Sequence, residues 1–162
     1  MKKVLSICVM MFTLSVGYGQ DVNRKVGLGL QASLPSLALS AKFALSESSM
    51  IQANMAPFGS GVFSINYYGG RYIYRFPDSN GGTVELDPYV FTGLGALTYK
   101  LDLLGDVTRD SFLAYSVGGG AELIVAKKLG ISAELSYGRM NVLAGLGVSG
   151  IFAGGGFHYY LK

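Results

Sequence analysis

The feature that most constrains this chain is a period-two beat of apolar side chains, which returns until the last residues. In Val26-Gly27-Leu28-Gly29-Leu30-Gln31-Ala32-Ser33-Leu34 every even position is apolar, and the odd positions are glycine or small and polar. The beat recurs in Ile131-Ser132-Ala133-Glu134-Leu135-Ser136-Tyr137. Successive side chains of a strand point to opposite faces, so each segment presents one greasy face and one small or polar face. Glycine, at 24 of 162 residues, is about twice its usual share and disfavours helix bundles. Eleven tyrosines and nine phenylalanines favour strands. The question is what medium lies against the greasy face.

The start of the chain is of a different kind. Lys2 and Lys3 precede a mostly apolar run from Val4 to Val16, and Gly17-Tyr18-Gly19 places small residues at −3 and −1 of a cut before Gln20. Residues 1–19 therefore read as a secretory signal peptide, and 20–162 as one exported domain. The apolar run is shorter than the ~20 residues that a spanning helix needs. Cys8, the only cysteine, lies inside it, so the exported part has no disulfide framework, thiolate metal site or cysteine nucleophile. Without Lys2 and Lys3 the 13 basic residues fall to 11 against 10 acidic, a net charge of +1, which is poor for nucleic-acid binding. No later apolar run reaches helix-spanning length. A membrane role thus requires a closed barrel, the other fold that satisfies every backbone polar group in hydrocarbon.

Eight strands are expected, at about 25–34, 37–45, 49–57, 62–76, 88–101, 111–126, 129–140 and 145–161, separated by turn-forming residues. Most have nine or more residues, as bilayer-crossing strands do, whereas globular strands average five or six. An even number lets the sheet close with both termini at one side. The expected fold is all-β, an eight-stranded antiparallel up-and-down transmembrane β-barrel. Tyr68-Gly69-Gly70-Arg71 reads either as a hairpin turn or as a bulge in one long strand. Phe63, Ile65 and Tyr67 are odd while Tyr72, Tyr74 and Phe76 are even, and a bulge would keep both sets outward, so parity favours the bulge. The two longest connections, 77–87 and 102–110, are consecutive and cannot both lie on the outer side. We expect Thr83 to Leu86 to extend a hairpin on the periplasmic side.

Pro88-Tyr89-Val90-Phe91-Thr92-Gly93-Leu94-Gly95 resembles the Pro-Tyr-x-x-x-Gly-x-Gly strand of small outer-membrane barrels of the OmpA/OmpX type. Gly156-Phe157-His158-Tyr159-Tyr160-Leu161-Lys162 resembles their terminal assembly signal, Gly-x-x-aromatic-x-aromatic: Gly156 and Tyr159 match, Leu161 stands where an aromatic is usual, and Lys162 is extra. The resemblance implies an outer-membrane location, insertion by the barrel-assembly machinery, and contact with outer-membrane lipids. It implies no shared activity.

An eight-stranded barrel is just wide enough to be filled by side chains. Parity turns Lys42, Gln52, Asn54, Arg71, Arg75, Glu122 and Glu134 inward. With strands alternating up and down, Lys42, Gln52, Arg71, Glu122 and Glu134 fall in the periplasmic half. A three-residue Lys127-Lys128-Leu129 turn would set Glu122 directly opposite Glu134, where like charges repel. Enclosed charges need partners, so we expect a salt-bridge plug between Glu122/Glu134 and Lys42/Arg71, with Arg75 a further cation. The outward apolar set is Leu28, Leu30, Leu39, Phe43, Ile65, Tyr72, Tyr74, Val117, Leu123, Leu135, Tyr137, Phe157 and Tyr159.

Among small outer-membrane barrels, lipid A-modifying enzymes carry a Ser/His or Ser/His/acid site. Here parity points His158, the only histidine, inward near the periplasmic end, as a passive structural residue. No catalytic residue, metal site or cofactor is expected. Gly118-Gly119-Gly120 and Gly154-Gly155-Gly156 lack the Lys-Ser/Thr of a phosphate loop and instead allow curvature and close side-chain approach. The leading expectation is a monomeric structural or envelope protein with a plugged lumen. The alternatives are a narrow channel or small-ligand transporter, and a secreted soluble barrel with an apolar interior binding a lipid-like ligand.

Overall fold

A computed structural model describes residues 26–33, 36–60, 63–76, 83–103, 106–143 and 146–161. The expected signal peptide and the turn residues at 34–35 and 77–82 lie outside them. The strands are β1 (Val26–Ser33), β2 (Ser36–Ala44), β3 (Ser49–Ser60), β4 (Phe63–Arg75), β5 (Val84–Leu103), β6 (Asp106–Val125), β7 (Leu129–Leu143) and β8 (Leu146–Leu161). Each pairs antiparallel with its sequence neighbours, and β1 pairs with β8 from Val26↔Leu161 to Ser33↔Gly154, closing the barrel. The fold is an all-β, closed, eight-stranded antiparallel barrel. We call the end with Val26 and Leu161 the terminal end, and the opposite end distal.

The barrel is inside-out by the standard of a water-soluble domain. Twenty-six large hydrophobic side chains are exposed among the described residues, including Leu28 at 51%, Phe43 at 44%, Leu135 at 62% and Phe157 at 49%. The buried set includes Lys42, Arg71, Arg75, Asp87, Glu122 and Glu134. Contiguous apolar patches on soluble monomers seldom exceed a few hundred Å², and here apolar side chains stand on the outer face of every strand. The lumen is not wholly polar. Met50, Ile73, Tyr89, Phe91 and Tyr160 form a buried cluster inside the terminal half.

Several details differ from the expectations. β4 is neither broken nor bulged at Gly69-Gly70: Asn54↔Gly69, Ala53↔Gly70, Gly69↔Gly95 and Gly70↔Leu94 continue without a shift. Even positions of this strand therefore face out from Tyr68 to Tyr74, and Ile65 and Tyr67 line the lumen, contrary to the outward placement of Ile65. The double glycine serves lumenal space, since a Cβ on Gly69 or Gly95 would collide with the Tyr67 ring. The expected 102–110 loop is largely strand, because β5 and β6 pair as far as Leu103↔Asp106. This removes the conflict between two long consecutive connections. Val84 to Asp87 also belong to a strand, but they pair with Glu122 to Val125 of β6, not with β4.

The β6–β7 turn comprises Ala126, Lys127 and Lys128, one residue earlier than expected. Ala126 and Lys127 have positive φ (52° and 57°), and Lys128 N donates to Val125 O at 3.1 Å, as in a primed hairpin turn. The register thus sets Glu122 against Ser132 and Glu134 against Gly120. The two carboxylates are not directly opposed. They sit one diagonal step apart, which leaves room for a separate partner at each.

Candidate functional site

The site lies inside the terminal half of the barrel and is built on four strands. Lys42 on β2 and Arg71 on β4 reach across the lumen to Glu122 on β6 and Glu134 on β7. Lys42 Nζ lies 2.9 Å from Glu122 Oε1, and Arg71 Nη1 lies 2.8 Å from Glu134 Oε1 and 3.0 Å from its Oε2. Each carboxylate also accepts a tyrosine hydroxyl: Tyr160 donates to Glu122 at 2.8 Å and Tyr89 to Glu134 at 3.2 Å. The Arg71 guanidinium stands over the Phe91 ring at 4.6 Å, adding a cation–π contact. Arg75 pairs with a third acid, Asp87, at 3.4 Å, and donates to the Glu47 carbonyl at 2.7 Å. Three cations thus meet three acids, all at most 7% exposed. Charges withdrawn from water require such compensation.

Glycine makes the crossing contacts fit. A Cβ on Gly93 would stand 3.0 Å from Arg71 Cγ, and one on Gly154 would stand 2.9 Å from Glu134 Oε1. The glycine-rich stretches of β5 and β8 are therefore the space over which the long side chains of the neighbouring strands extend.

Above the ion pairs lies a layer of amides and hydroxyls. Gln52 Nε2 lies within 3.1 Å of three acceptors, Gln31 Oε1, Ser40 Oγ and Asn54 Oδ1, so its two hydrogens are shared among them. His158 Nε2 is 2.9 Å from Ser40 Oγ, and its Nδ1 is 3.9 Å from Glu122 Oε1. Serine, histidine and acid therefore follow one another in the order of a nucleophilic triad. The chemistry such a triad performs needs a substrate carbonyl beside the serine. Here Ser40 is 5% exposed, His158 is 0% exposed, and Glu122 is already held by Lys42 and Tyr160. The group is a packed polar network with no room for a reacting molecule.

Of the residues singled out from the sequence, Lys42, Arg71, Glu122 and Glu134 come together in two pairs, and Arg75 lies below them with Asp87. Gly156 faces inward, where a Cβ would meet Gln31 Oε1 at 2.6 Å, while Tyr159 and Leu161 face out at 46% and 44% exposure. Asp87, Tyr89 and Tyr160 were missed. Asp87 stands at the end of the expected 77–87 connection, yet it shares the parity of Tyr89 and Phe91, which is the signal that places it in the lumen. Among the described residues no group of three or more His, Cys, Asp or Glu could hold a metal ion.

The distal half of the lumen is different. It contains a cavity of about 350 Å³, whose floor includes Gln31, Asn54 and Arg71 and whose walls include Tyr67, Leu97, Met140 and Phe152.

No protein-family model and no curated protein matches this chain. Among solved structures it is similar to the N-terminal β-barrel domain of OprF from Pseudomonas aeruginosa, with 16% identity and a TM-score of 0.61 over 84% of this chain and 96% of that one. Lower scores are found with Neisserial surface protein A (15% identity, TM-score 0.49, 83% and 91% covered) and with Ail, the attachment invasion locus protein of Yersinia pestis (16%, 0.39, 82% and 95%). The likeness to the OprF domain establishes the fold.

Proposed function

We propose that this chain is an integral outer-membrane β-barrel with a structural role in the cell envelope, its lumen closed at the terminal half by the Lys42–Glu122, Arg71–Glu134 and Arg75–Asp87 pairs. The observation that carries the reading is the continuous apolar outer surface around a charged, neutralised interior. Water would leave the exposed Leu, Ile and Phe side chains unfavourably hydrated, whereas hydrocarbon is a suitable solvent for them and a closed barrel leaves no strand edge unsatisfied. The exposed tyrosines Tyr72, Tyr74 and Tyr159, all near the terminal end of their strands, suit the aromatic girdle at one membrane interface. The fold shared with the OprF domain supports the same assignment. In this reading the protein is a monomer, residues 1–19 direct export, and the Gly156, Tyr159 and Leu161 segment is what the barrel-assembly machinery recognises. The soluble lipid-binding alternative needs its greasy side chains inside and a polar outer face, and the outer face is greasy.

Fractionation tests the location and electrophoresis the fold. The protein is expected in the outer-membrane fraction, extracted only by detergent. Its unboiled sample should migrate differently from the boiled one on SDS gels, because the closed sheet resists the detergent until heated. In planar bilayers the plug predicts no large steady conductance. Recovery in the soluble fraction without detergent would contradict the membrane assignment, and a large steady conductance abolished by lumen-filling substitutions would contradict the plug.

A further inference from the structure

We infer that the distal half of the lumen is a binding cup for a small, neutral, largely apolar molecule carrying a carbonyl acceptor, such as an amide, ester or lactone. The cup is a dead end. Its floor rests on the Gln52 network and the Arg71–Glu134 pair, so a molecule entering it is held and does not pass through. Its volume, about 350 Å³, lies at the lower end of ligand-pocket sizes and equals roughly a dozen waters at ~30 Å³ each. The walls are mostly apolar, with Tyr67, Leu97, Met140 and Phe152 turned into the space. Water in such a space makes few hydrogen bonds, so an apolar body displaces it favourably.

A second, independent observation specifies the polar end. Gln31 belongs to the cavity floor and is 3% exposed, and its Nε2 has no hydrogen-bond partner, although its Oε1 accepts from Gln52. A buried N–H donor without an acceptor is costly, and natural structures rarely keep one without a reason. The adjoining cavity is where an acceptor would come from. Arg71, which also lines the cavity, bonds Glu134 through Nη1, and its guanidinium carries further N–H donors. The floor is therefore rich in donors.

The acceptor must be neutral. Glu134 already compensates the charge of Arg71, Lys42 and Arg75 are likewise paired, and Arg139, the other cation of the lining, is an exposed side chain bonded to Asn141. A carboxylate on the ligand would add an enclosed charge with no counter-ion, which a low-dielectric site disfavours strongly. A carbonyl oxygen takes the same donors without that cost.

Three methionines follow residue 20, and they divide the molecule usefully: Met140 lines the cup, Met50 is buried at the terminal half, and Met55 faces outward at 44% exposure. The full barrel, labelled at the methionine methyl groups and held in lipid nanodiscs, is titrated with 3-phenylpropanamide and followed by NMR. The expected result is a saturable shift of the Met140 methyl with Met50 unmoved. Propylbenzene, lacking the acceptor, and 3-phenylpropionate, carrying the charge, should each bind about tenfold more weakly or worse, as expected for one lost hydrogen bond or one unpaired charge. Gln31→Leu should weaken 3-phenylpropanamide by a similar factor. Ala114→Phe, which fills the cup from another strand, should abolish the saturable shift. Heat-shifted gel mobility checks that each variant is folded. A Met140 response that is absent, or that rises linearly in step with Met55 as simple lipid partition would, overturns the proposal. So does equal affinity for propylbenzene, or an unchanged affinity in Gln31→Leu.

Discussion

Replacing Glu122 with alanine will destabilise the barrel by about 3–5 kcal/mol, the range for removing one member of a buried ion pair. The substitution leaves Lys42 Nζ without the carboxylate 2.9 Å away and removes the hydrogen bond from the Tyr160 hydroxyl to Glu122, both enclosed beneath the Gln52 layer. The cost is chiefly that of the uncompensated ammonium, so it should fall when the ammonium is removed as well. Lys42→Met combined with Glu122→Leu should recover most of the loss, because apolar replacement of a whole buried pair is often close to neutral. The measurement is the urea midpoint of protein refolded into lipid vesicles, read from the gel-mobility shift. A loss under 1 kcal/mol for Glu122→Ala, or a double variant as unstable as the single one, would show that the pair does not close the lumen as described.

The second large effect is on the outer face. Leu135, 62% exposed near the middle of β7, should cost about 2–4 kcal/mol when replaced by lysine, the value for a cation at the hydrocarbon midplane. Leu86, 50% exposed near the start of β5, should cost at most about 1 kcal/mol, because its charge reaches the interface. On a water-exposed surface neither substitution would exceed about 0.5 kcal/mol. Depth dependence thus separates lipid from water as the outer solvent. Equal, small effects at both positions would contradict the membrane reading.

Which parts of this molecule were legible in its sequence follows from what period-two alternation encodes. It encodes faces, so the outward placement of Leu28, Phe43, Leu135 and Phe157 and the inward placement of Lys42, Arg71, Glu122 and Glu134 could be read directly. The ion partners were legible as well, because only a few strand-borne charges turn inward and enclosed charges must be compensated. Alternation does not encode where a strand begins. Residues 84–87 and 102–110 contain turn-like residues; 84–87 are held by Glu122 to Val125 of β6, and 102–103 and 106–110 continue the β5–β6 ladder, whatever their local propensity. Asp87 was lost with that boundary. Nor does alternation say which medium an apolar face meets. Ile65 and Tyr67 are apolar and odd, and a bulge at Gly69-Gly70 would turn them outward. In the structure the strand runs straight and both line the distal cup. A lumen that is apolar at one end and ionic at the other breaks the simple rule that polar means inside. The turn at Ala126 moved the β6–β7 pairing by two positions, which leaves every face unchanged and alters only which carboxylate stands opposite what.

The most direct test of the central claim uses the fact that the chain has no cysteine after residue 20. A single cysteine introduced at position 135 and carrying a nitroxide reports what collides with the outer face of β7 in lipid bilayers. If hydrocarbon surrounds the barrel, relaxation by molecular oxygen will be strong and relaxation by a water-soluble nickel chelate weak at that site. Strong relaxation by the nickel chelate, with little from oxygen, would mean that water bathes Leu135, and the membrane-barrel account would be wrong.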